Sequence, residues 1–226
     1  MIQQEPNSIA LNMMVARSSA ATVAVPQPET ISSDWRDLLP LLAGESITLR
    51  ELQLSDAPTL FAMLSTEEVS RFISPPPTTV EGYERFIEWT HKKRAAGELV
   101  CFGIVPKGMN EAVGIIQVRS LEKGFGTAEW GFALGSPFWG NGMFVEGAQM
   151  VLDFAFEQIG VHRVEARCAV HNGRGNGALQ KLGAVHEVRL RKSFVKNGVH
   201  YDQFLSVILD TDWALREMRY TPRRVS

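Results

Sequence analysis

The chain has 226 residues, of which 45% are hydrophobic and 21% are charged, and its formal net charge is −2. These values are typical of a soluble globular protein with its own core, and they exclude a long disordered chain. The near-neutral charge lacks the electrostatic footprint of a nucleic-acid-binding protein, so we expect no nucleic-acid partner.

The cysteines and histidines give no sign of a metal site or a disulfide framework. Cys101 and Cys168 each lie in an apolar run that predicts a strand, without ligand spacing between them. The sequence has no apolar stretch of roughly 18 residues and no signal-peptide pattern at its start. We therefore expect a cytoplasmic protein with reduced thiols, no bound metal and no membrane partner.

Residues 1–44 are predicted to form an N-terminal arm. The first part has no sustained periodicity and is rich in Ser, Thr, Pro, Gln and Ala, which favours disorder. Within the arm, Ser33 to Leu42 is predicted as a short helix capped by Ser33 or Asp34. Composition leaves open whether the arm packs on a second copy of the chain, that is, whether the protein is a homodimer.

Regular structure is predicted from Ile47 onward. A short strand (47–50) precedes a helix that starts at Ser55 or Asp56, and Thr79 starts a second helix that Gly97 ends. Three strands with hairpin-length breaks follow, and then a long amphipathic helix, a strand, a short helix and a strand pair turned by Asn197-Gly198. Their predicted bounds are 99–105, 112–120 and 127–134 for the three strands, 145–159 for the helix, 164–170 for the strand, 177–182 for the short helix, and 185–194 and 201–209 for the pair.

This order predicts one α+β (mixed α/β) domain over residues 45–210, built on a single mixed, mostly antiparallel sheet of about seven strands with about four flanking helices. Residues 211–226 are predicted as a C-terminal helix, starting at Asp210 or Thr211, with a basic tail.

A glycine turn stands between the third of the three strands and the long helix. Gly140 and Gly142 precede the helix, where glycine lets the backbone take positive φ and approach a bulky ligand. The first amides of the helix lack intrahelical partners and lie at the positive end of its dipole, so a pyrophosphate would fit there.

Two other phosphate-binding motifs are tested by spacing. Gly135 and Gly140 have the first spacing of a P-loop, but Asn141-Gly142 replaces the Lys and hydroxyl residue that a P-loop requires. Gly173 to Ala178 matches a dinucleotide fingerprint, but its helix is short and the next acid, Glu187, comes too early. Neither alternative is favoured.

At this point the sequence resembles the GCN5-related N-acetyltransferases (GNAT), in the branch named for the ribosomal-protein acetyltransferases RimJ and RimL. The resemblance covers roughly residues 45–210 and rests on four motifs in the family's order and spacing. They are Leu49-Arg50 through Asp56, A-E-W-G-F-A-L at 128–134, P-F-W-G-N-G-M-F-V-E-G at 137–147, and R-V-E-A-R at 163–167 followed by Asn172 through Lys181 and Gly183.

The resemblance implies a sheet splayed between two central parallel strands, and it implies acetyl-coenzyme A (acetyl-CoA) as co-substrate with an amine as acceptor. Backbone amides near the glycine turn would hold the pyrophosphate, the end of the preceding strand would pair with the pantetheine arm, and Asn172 would bond the cofactor from the far side of the splay. The implied cofactor-binding residues are Phe132, Ala133, Leu134, Trp139, Gly140, Asn141, Gly142, Met143, Phe144, Asn172 and Lys181.

The sequence departs from the family pattern at three places. Phe144 replaces the usual Gly or Ala, which would narrow the phosphate site or cover it. Gly175 stands where this branch often has Ser, and Leu179 where some relatives have a Tyr thought to protonate the leaving thiolate. These departures leave two alternatives open: a non-catalytic acyl-CoA-binding domain, or the same fold with a longer acyl donor.

For the catalytic base, Glu129 is the leading candidate, because it lies on the strand next to the expected thioester. The alternative is an ion pair between Glu129 and Arg50 or Arg163. Glu146, in the first turn of the long helix, is interpreted as a helix-dipole or capping residue. With so few candidate catalytic residues, the site suits an α-amine. The pKa of an α-amine is about 2.5 units below that of lysine, so it loses its proton more easily and needs a weaker base. The acceptor is thus predicted to be an N-terminal α-amine of a peptide or protein, or a small-molecule amine.

Overall fold

The computed structural model describes the backbone of residues 34–220 and the side chains of residues 34–216. Eight strands form one sheet in the order β1-β2-β3-β4-β5-β6-β8-β7. Their bounds are β1 (Leu42–Ala43), β2 (Ile47–Glu51), β3 (Leu99–Pro106), β4 (Gly114–Ser120), β5 (Thr127–Leu134), β6 (Arg163–Ala169), β7 (Val185–Lys196) and β8 (Val199–Leu209). Neighbours among these strands pair antiparallel except β5 and β6, which are parallel. The predicted mixed α+β fold is confirmed, with β1 as the additional strand.

Six α-helices flank this sheet within the described residues. They are α1 (Ala57–Leu64), α2 (Glu67–Ser70), α3 (Val80–Ala95), α4 (Met143–Asp153), α5 (Gly173–Lys181) and α6 (Asp210–Tyr220). The predicted helix 145–159 is α4 followed by a π-helical turn, Phe154–Ile159. Between residues 34 and 220 no helix has the length and apolar character to cross a membrane.

The core lies in two layers, one on each face of the sheet. Successive side chains of a strand point to opposite faces, and β3 supplies both layers because all its residues are buried. Val100 and Phe102 join the cluster that contains α4 residues such as Leu152. Leu99 and Cys101 join the cluster that contains Leu60 of α1 and Ile87 of α3.

The predicted helix at 33–42 is wrong over its described part. A turn at residues 35–37 leads to β1, which pairs with β2. Pro40 explains the difference, because a proline disfavours helical dihedrals in the residue before it. Trp35 is buried and packs edge-on against Phe125, with ring centroids 5.6 Å apart. Residues 34–43 of the predicted arm therefore pack on the domain, whereas residues 1–33 and 221–226 lie outside the described chain.

Candidate active site

The two parallel strands diverge at the centre of the sheet. β5 and β6 are in register only from Thr127–Arg163 to Glu129–Glu165, although β5 continues to Leu134 and β6 to Ala169. Past Glu129 the two strands leave an opening that no other described strand fills. This opening is the splay, and the candidate site is built around it.

The backbone of β5 alternates between its two neighbours, and hydrogen bonds at both ends fix the phase. The Thr127 carbonyl accepts from the Leu121 N–H (2.9 Å) and the Gly135 N–H donates to the Val113 carbonyl (3.0 Å), both on the β4 side. In an antiparallel ladder, hydrogen-bonded pairs alternate with non-hydrogen-bonded pairs along each strand. The odd-numbered residues of β5, Ala133 included, therefore direct their backbone groups to β4, and Phe132 and Leu134 direct theirs into the splay.

Two cavities meet at the splay. The donor cavity, of about 570 Å³, is lined by the glycine turn and the first residues of α4 and α5. The acceptor cavity, of about 520 Å³, lies on the α3 side and is lined by residues of β4, β5, β6 and α3. Both are lined by Phe72, Ile73, Phe132, Ala133 and Asn172. A ligand in one cavity can therefore touch a ligand in the other.

The glycine turn opens the donor cavity toward the start of α4. Gly140 (φ 83°) and Gly142 (φ 87°) are left-handed, and a Cβ at either position would meet nothing within 4 Å. Space is therefore free for a ligand against the backbone, and the left-handed dihedrals favour glycine. Asn141 Oδ1 accepts from the Met143 N–H (3.3 Å). The next amides of the first turn have no intrahelical partner.

Trp139 and Arg174 form one wall of the donor cavity. The Trp139 indole N–H donates to the Leu134 carbonyl (2.7 Å), which fixes the ring beside the end of β5. The Arg174 guanidinium lies over this ring, 4.3 Å from its centroid. Arg71, Lys181 and one carboxylate, Glu68, also line the cavity, so its cations outnumber its anions by three to one. Such a set, with free helix amides, fits a polyphosphate.

Asn172 joins the two walls of the splay. Its Oδ1 accepts from the Gly175 N–H (3.0 Å) and caps α5, which therefore begins at Gly173 instead of the predicted Gly177. This bond uses the carboxamide oxygen and not the Nδ2 group. A Cβ on Gly175 would lie 2.7 Å from Asn172 Nδ2 and 2.8 Å from Cys168 Sγ. A larger residue at position 175 would therefore require the Asn172 or Cys168 side chain to move.

Phe144 fills space beside β5 instead of extending over the turn. Its ring packs on Phe132, with centroids 4.3 Å apart, and Phe132 packs on Trp130 (5.4 Å). Because Phe132 lines both cavities and Phe144 lines the donor cavity, the ring pair lies where the two cavities meet.

The comparisons with known proteins agree with this geometry. Residues 46–185 match the family model described as an acetyltransferase (GNAT) domain. The chain belongs to the GNAT acetyltransferases. It is 28% identical over 174 residues to the uncharacterized N-acetyltransferase p20 of Bacillus licheniformis, covering 76% of this chain and 98% of that protein. It is 21% identical to the ribosomal protein uS5-alanine N-acetyltransferase of Escherichia coli, covering 58% and 69%.

Solved structures show the same fold. The microcin C7 self-immunity acetyltransferase MccE, in complex with acetyl-CoA and AMP, superposes with a TM-score of 0.66 at 22% identity, covering 74% of this chain and 93% of that one. The protein is therefore an N-acetyltransferase of the GNAT family, with RimJ/RimL-like relatives.

Glu129 of this acetyltransferase lies in the acceptor cavity, but its ion-pair partners differ from the predicted ones. Its carboxylate accepts from Arg119 and Arg167, not from Arg50 or Arg163. Arg50 instead pairs with Asp56, and Arg163 with Glu165 and Glu187. The β4–β5 register explains the difference, because it places Arg119 of β4 directly opposite Glu129.

Two other predicted residues lie at the margin of the site or away from it. Glu146 accepts from the Ser46 N–H (3.0 Å) and hydroxyl, and it lines neither cavity. Burial alone would raise the pKa of Glu146, but these hydrogen bonds outweigh burial and hold it below the usual value. Lys181 is exposed at the end of α5, on the rim of the donor cavity.

Several lining residues of the acetyltransferase were missed from the sequence. Gln117 and Arg119 point into the acceptor cavity from β4, and Tyr83 from α3. The β4–β5 hairpin register pairs Gln117 with Gly131 and would have placed both β4 residues beside the site. Tyr83 shares a face with Phe86 in the predicted helix, but nothing in its spacing separates a cavity wall from a core.

Proposed function

We propose that the protein transfers the acetyl group of acetyl-CoA to a primary amine by direct attack in a ternary complex. The observation that supports this proposal is the meeting of a polyphosphate-compatible donor cavity and a separate acceptor cavity at the splay. Acetyl-CoA, when bound, supplies a thioester carbonyl that a neutral amine can attack.

On the donor side, the turn amides between Gly140 and Phe144 would hold the pyrophosphate, with Arg174 and Lys181 as cations beside it. The backbone groups of Phe132 and Leu134 would pair with the pantetheine arm as a strand does. Because Trp139 occupies the Leu134 carbonyl, the Phe132 carbonyl and the Leu134 N–H remain for this pairing. Ala133 would contribute its side chain only.

The transition state needs a donor for the developing oxyanion and a route for one proton. The Phe132 N–H, directed into the splay beside both cavities, is our candidate for the oxyanion donor. Glu129 is the carboxylate that lines the acceptor cavity, and it would take the amine proton through a water bound at the oxygen lone pairs that Arg119 and Arg167 leave free.

Direct attack is favoured over an acyl-enzyme. Cys168 is the thiol that lines the cavity, and it is 7% exposed. Burial raises the pKa of Cys168 to about 11, so the thiol is protonated at neutral pH. A protonated thiol is a poor nucleophile.

The test is an assay of CoA release with product identification. Purified protein, acetyl-CoA and a panel of primary amines, among them peptides with a free N-terminus, should give CoA and an equal amount of acetylated amine by mass spectrometry. Tight binding of acetyl-CoA by calorimetry without transfer to any amine would refute the proposal.

A further inference from the structure

The acceptor cavity has flat apolar walls. Its sides are aromatic rings and prolines on α3, the hairpin and the segment between α2 and α3, and its lining includes Phe72, Tyr83, Phe86, Phe194 and the run Pro75–Pro77. Tyr83 and Phe86 pack edge-on at 6.5 Å between centroids. Walls of this kind fit a planar apolar group and cannot solvate several charges.

The cavity also contains two polar atoms that lack partners in the described chain. Gln117 Oε1 and Tyr83 Oη are buried and make no hydrogen bond there. Tyr83 is only 2% exposed. The neighbouring Ser65 hydroxyl donates to the Pro77 carbonyl (3.3 Å) instead of to Tyr83. A buried polar group without a partner is costly, so a ligand that bonds to either atom after a side-chain rotation would be favoured.

Gln117 lies where an acceptor amine would approach the splay. It stands directly opposite Gly131, and a Cβ on Gly131 would already be 3.3 Å from Gln117 Nε2. Because Gly131 has no side chain, the floor of the cavity, formed here by the β5 backbone, stays open next to the Gln117 carboxamide. Nε2 is the carboxamide atom nearest this floor, and a half-turn of the carboxamide would bring the unpartnered Oε1 there as an acceptor for an amine N–H.

The charges in the cavity disfavour a polycation. Its charged lining residues are Arg119, Arg167 and Glu129, so guanidinium groups outnumber carboxylates. Glu129 is the one carboxylate of this lining and already pairs with both arginines, so it cannot balance several ammonium groups. A polyamine would bring several positive charges close to the Arg119 and Arg167 guanidinium groups, which would repel it.

We infer, resting on the proposed function, that the acceptor is a monoamine whose primary amino group is carried on a planar apolar body, as in arylalkylamines, and that Gln117 binds its amino group. Polyamines are excluded from this site by the arginine pair and the apolar walls.

The probes are 2-phenylethylamine and spermidine, each with saturating acetyl-CoA and CoA release as the readout. We expect kcat/KM for 2-phenylethylamine to exceed that for spermidine by at least about tenfold. Equal or faster turnover of spermidine would overturn the inference.

A variant tests the role of Gln117 separately. Gln117→Leu keeps the size of the side chain and removes its hydrogen bonds, and should raise KM for 2-phenylethylamine by about tenfold. The affinity for acetyl-CoA, measured by calorimetry, should stay unchanged. Gln158→Leu, on the exposed π-helical turn, is the matched control and should leave both values at wild type. An unchanged KM in Gln117→Leu would contradict the assignment.

The outcomes separate this inference from the proposed function. If a peptide α-amine is acetylated while 2-phenylethylamine is not, the proposed function stands and the inference on the acceptor falls. If acetyl-CoA binds and no amine of any class is acetylated, both fall.

Discussion

At the scale of single residues, Asn172 contributes to both walls of the splay. Its oxygen caps α5 through the Gly175 N–H, and the residue lines both the donor and the acceptor cavity. One carboxamide would thus order the local backbone and donate to the cofactor.

Two substitutions separate these roles of Asn172. Asn172→Ser keeps a good N-cap and removes the amide donor, so we expect normal stability and about tenfold weaker acetyl-CoA binding. Asn172→Ala should weaken binding equally and also lower the free energy of unfolding by about 1 kcal/mol. Calorimetry and urea unfolding measure the two effects. Wild-type affinity in Asn172→Ser would reduce Asn172 to a helix cap.

Asp56 is a buried charge that connects three segments away from the cleft. Its carboxylate accepts two bonds from Arg50 (both 2.8 Å) and one each from the Gln53 N–H (2.7 Å) and the Ala112 N–H (2.9 Å). Burial would raise the pKa of Asp56, but Arg50 and the two amides outweigh burial and lower it.

The lowered pKa sets the sign of the pH dependence. The contribution of Asp56 to stability is full above the unfolded pKa of about 3.9 and is lost as pH falls through the lower folded value. Asp56→Asn should lower the free energy of unfolding by about 3 kcal/mol at pH 7, because it leaves Arg50 without its counter-charge. The free energy of unfolding of the variant should also fall less steeply with decreasing pH than that of the wild type. Guanidinium unfolding from pH 7 to about pH 3 tests this, with the exposed Asp37→Asn as control. A mutant curve parallel to wild type would contradict it.

At the scale of elements, the start of α4 depends on left-handed glycines. Gly142 is the N-cap of α4 at φ 87°, a conformation that costs a residue with a Cβ about 1–2 kcal/mol. Any change in this turn moves the amides proposed to hold the pyrophosphate.

Two matched alanine substitutions test this role. Gly142→Ala should lower stability by about 1 kcal/mol and weaken acetyl-CoA binding by about tenfold. Gly160→Ala changes a glycine with a similar left-handed φ (83°), which has no neighbour within 4 Å of a Cβ and lines neither cavity. It should lower stability equally and leave the affinity unchanged. Equal affinities for the two variants would rule out the turn as part of the binding site.

The β7–β8 hairpin is linked to the segment above the cleft. Lys196 Nζ donates to the Ser70 carbonyl (2.8 Å) and the Ile73 carbonyl (3.2 Å), near the end of α2. Ile73 lines both cavities, so this contact positions a shared wall.

Lys196→Met should loosen that wall. We expect KM for the amine to rise about fivefold, because two charge-assisted bonds are lost, and acetyl-CoA affinity to change less. Steady-state kinetics with each substrate varied in turn would measure both. Lys123→Met, in the exposed β4–β5 loop, is the control. A larger loss of cofactor affinity than of amine affinity would show that the contact serves the donor side instead.

Local patterns in the sequence predicted most elements. The bounds of β5 were predicted without error, and Asn197 and Gly198 both have positive φ in the hairpin, as their dipeptide indicates. The partners of Glu129 were not predictable in this way, because they depend on the register of β4 and β6 against β5. The helix at 33–42 failed because Pro40 and the packing of Trp35 on a distant Phe125 outweigh local periodicity.

At the scale of the whole molecule, one hydrophobic layer spans β5 and β6, and the layer on the other face of the sheet packs α1 and α3 on the strands up to β5. The donor cavity lies toward α4 and α5, and the acceptor cavity toward α3. The central claim is that the two substrates meet at this opening, on the free backbone edge of β5.

Residue-resolved amide hydrogen exchange, with and without acetyl-CoA, tests this claim most directly. Gly131 and Ala133 face β4 and should be protected in both states. Phe132 and Leu134 face the splay and should become protected only when acetyl-CoA binds, together with the first-turn amides of α4. Unchanged exchange at Phe132 and Leu134 in protein saturated with acetyl-CoA would contradict the account.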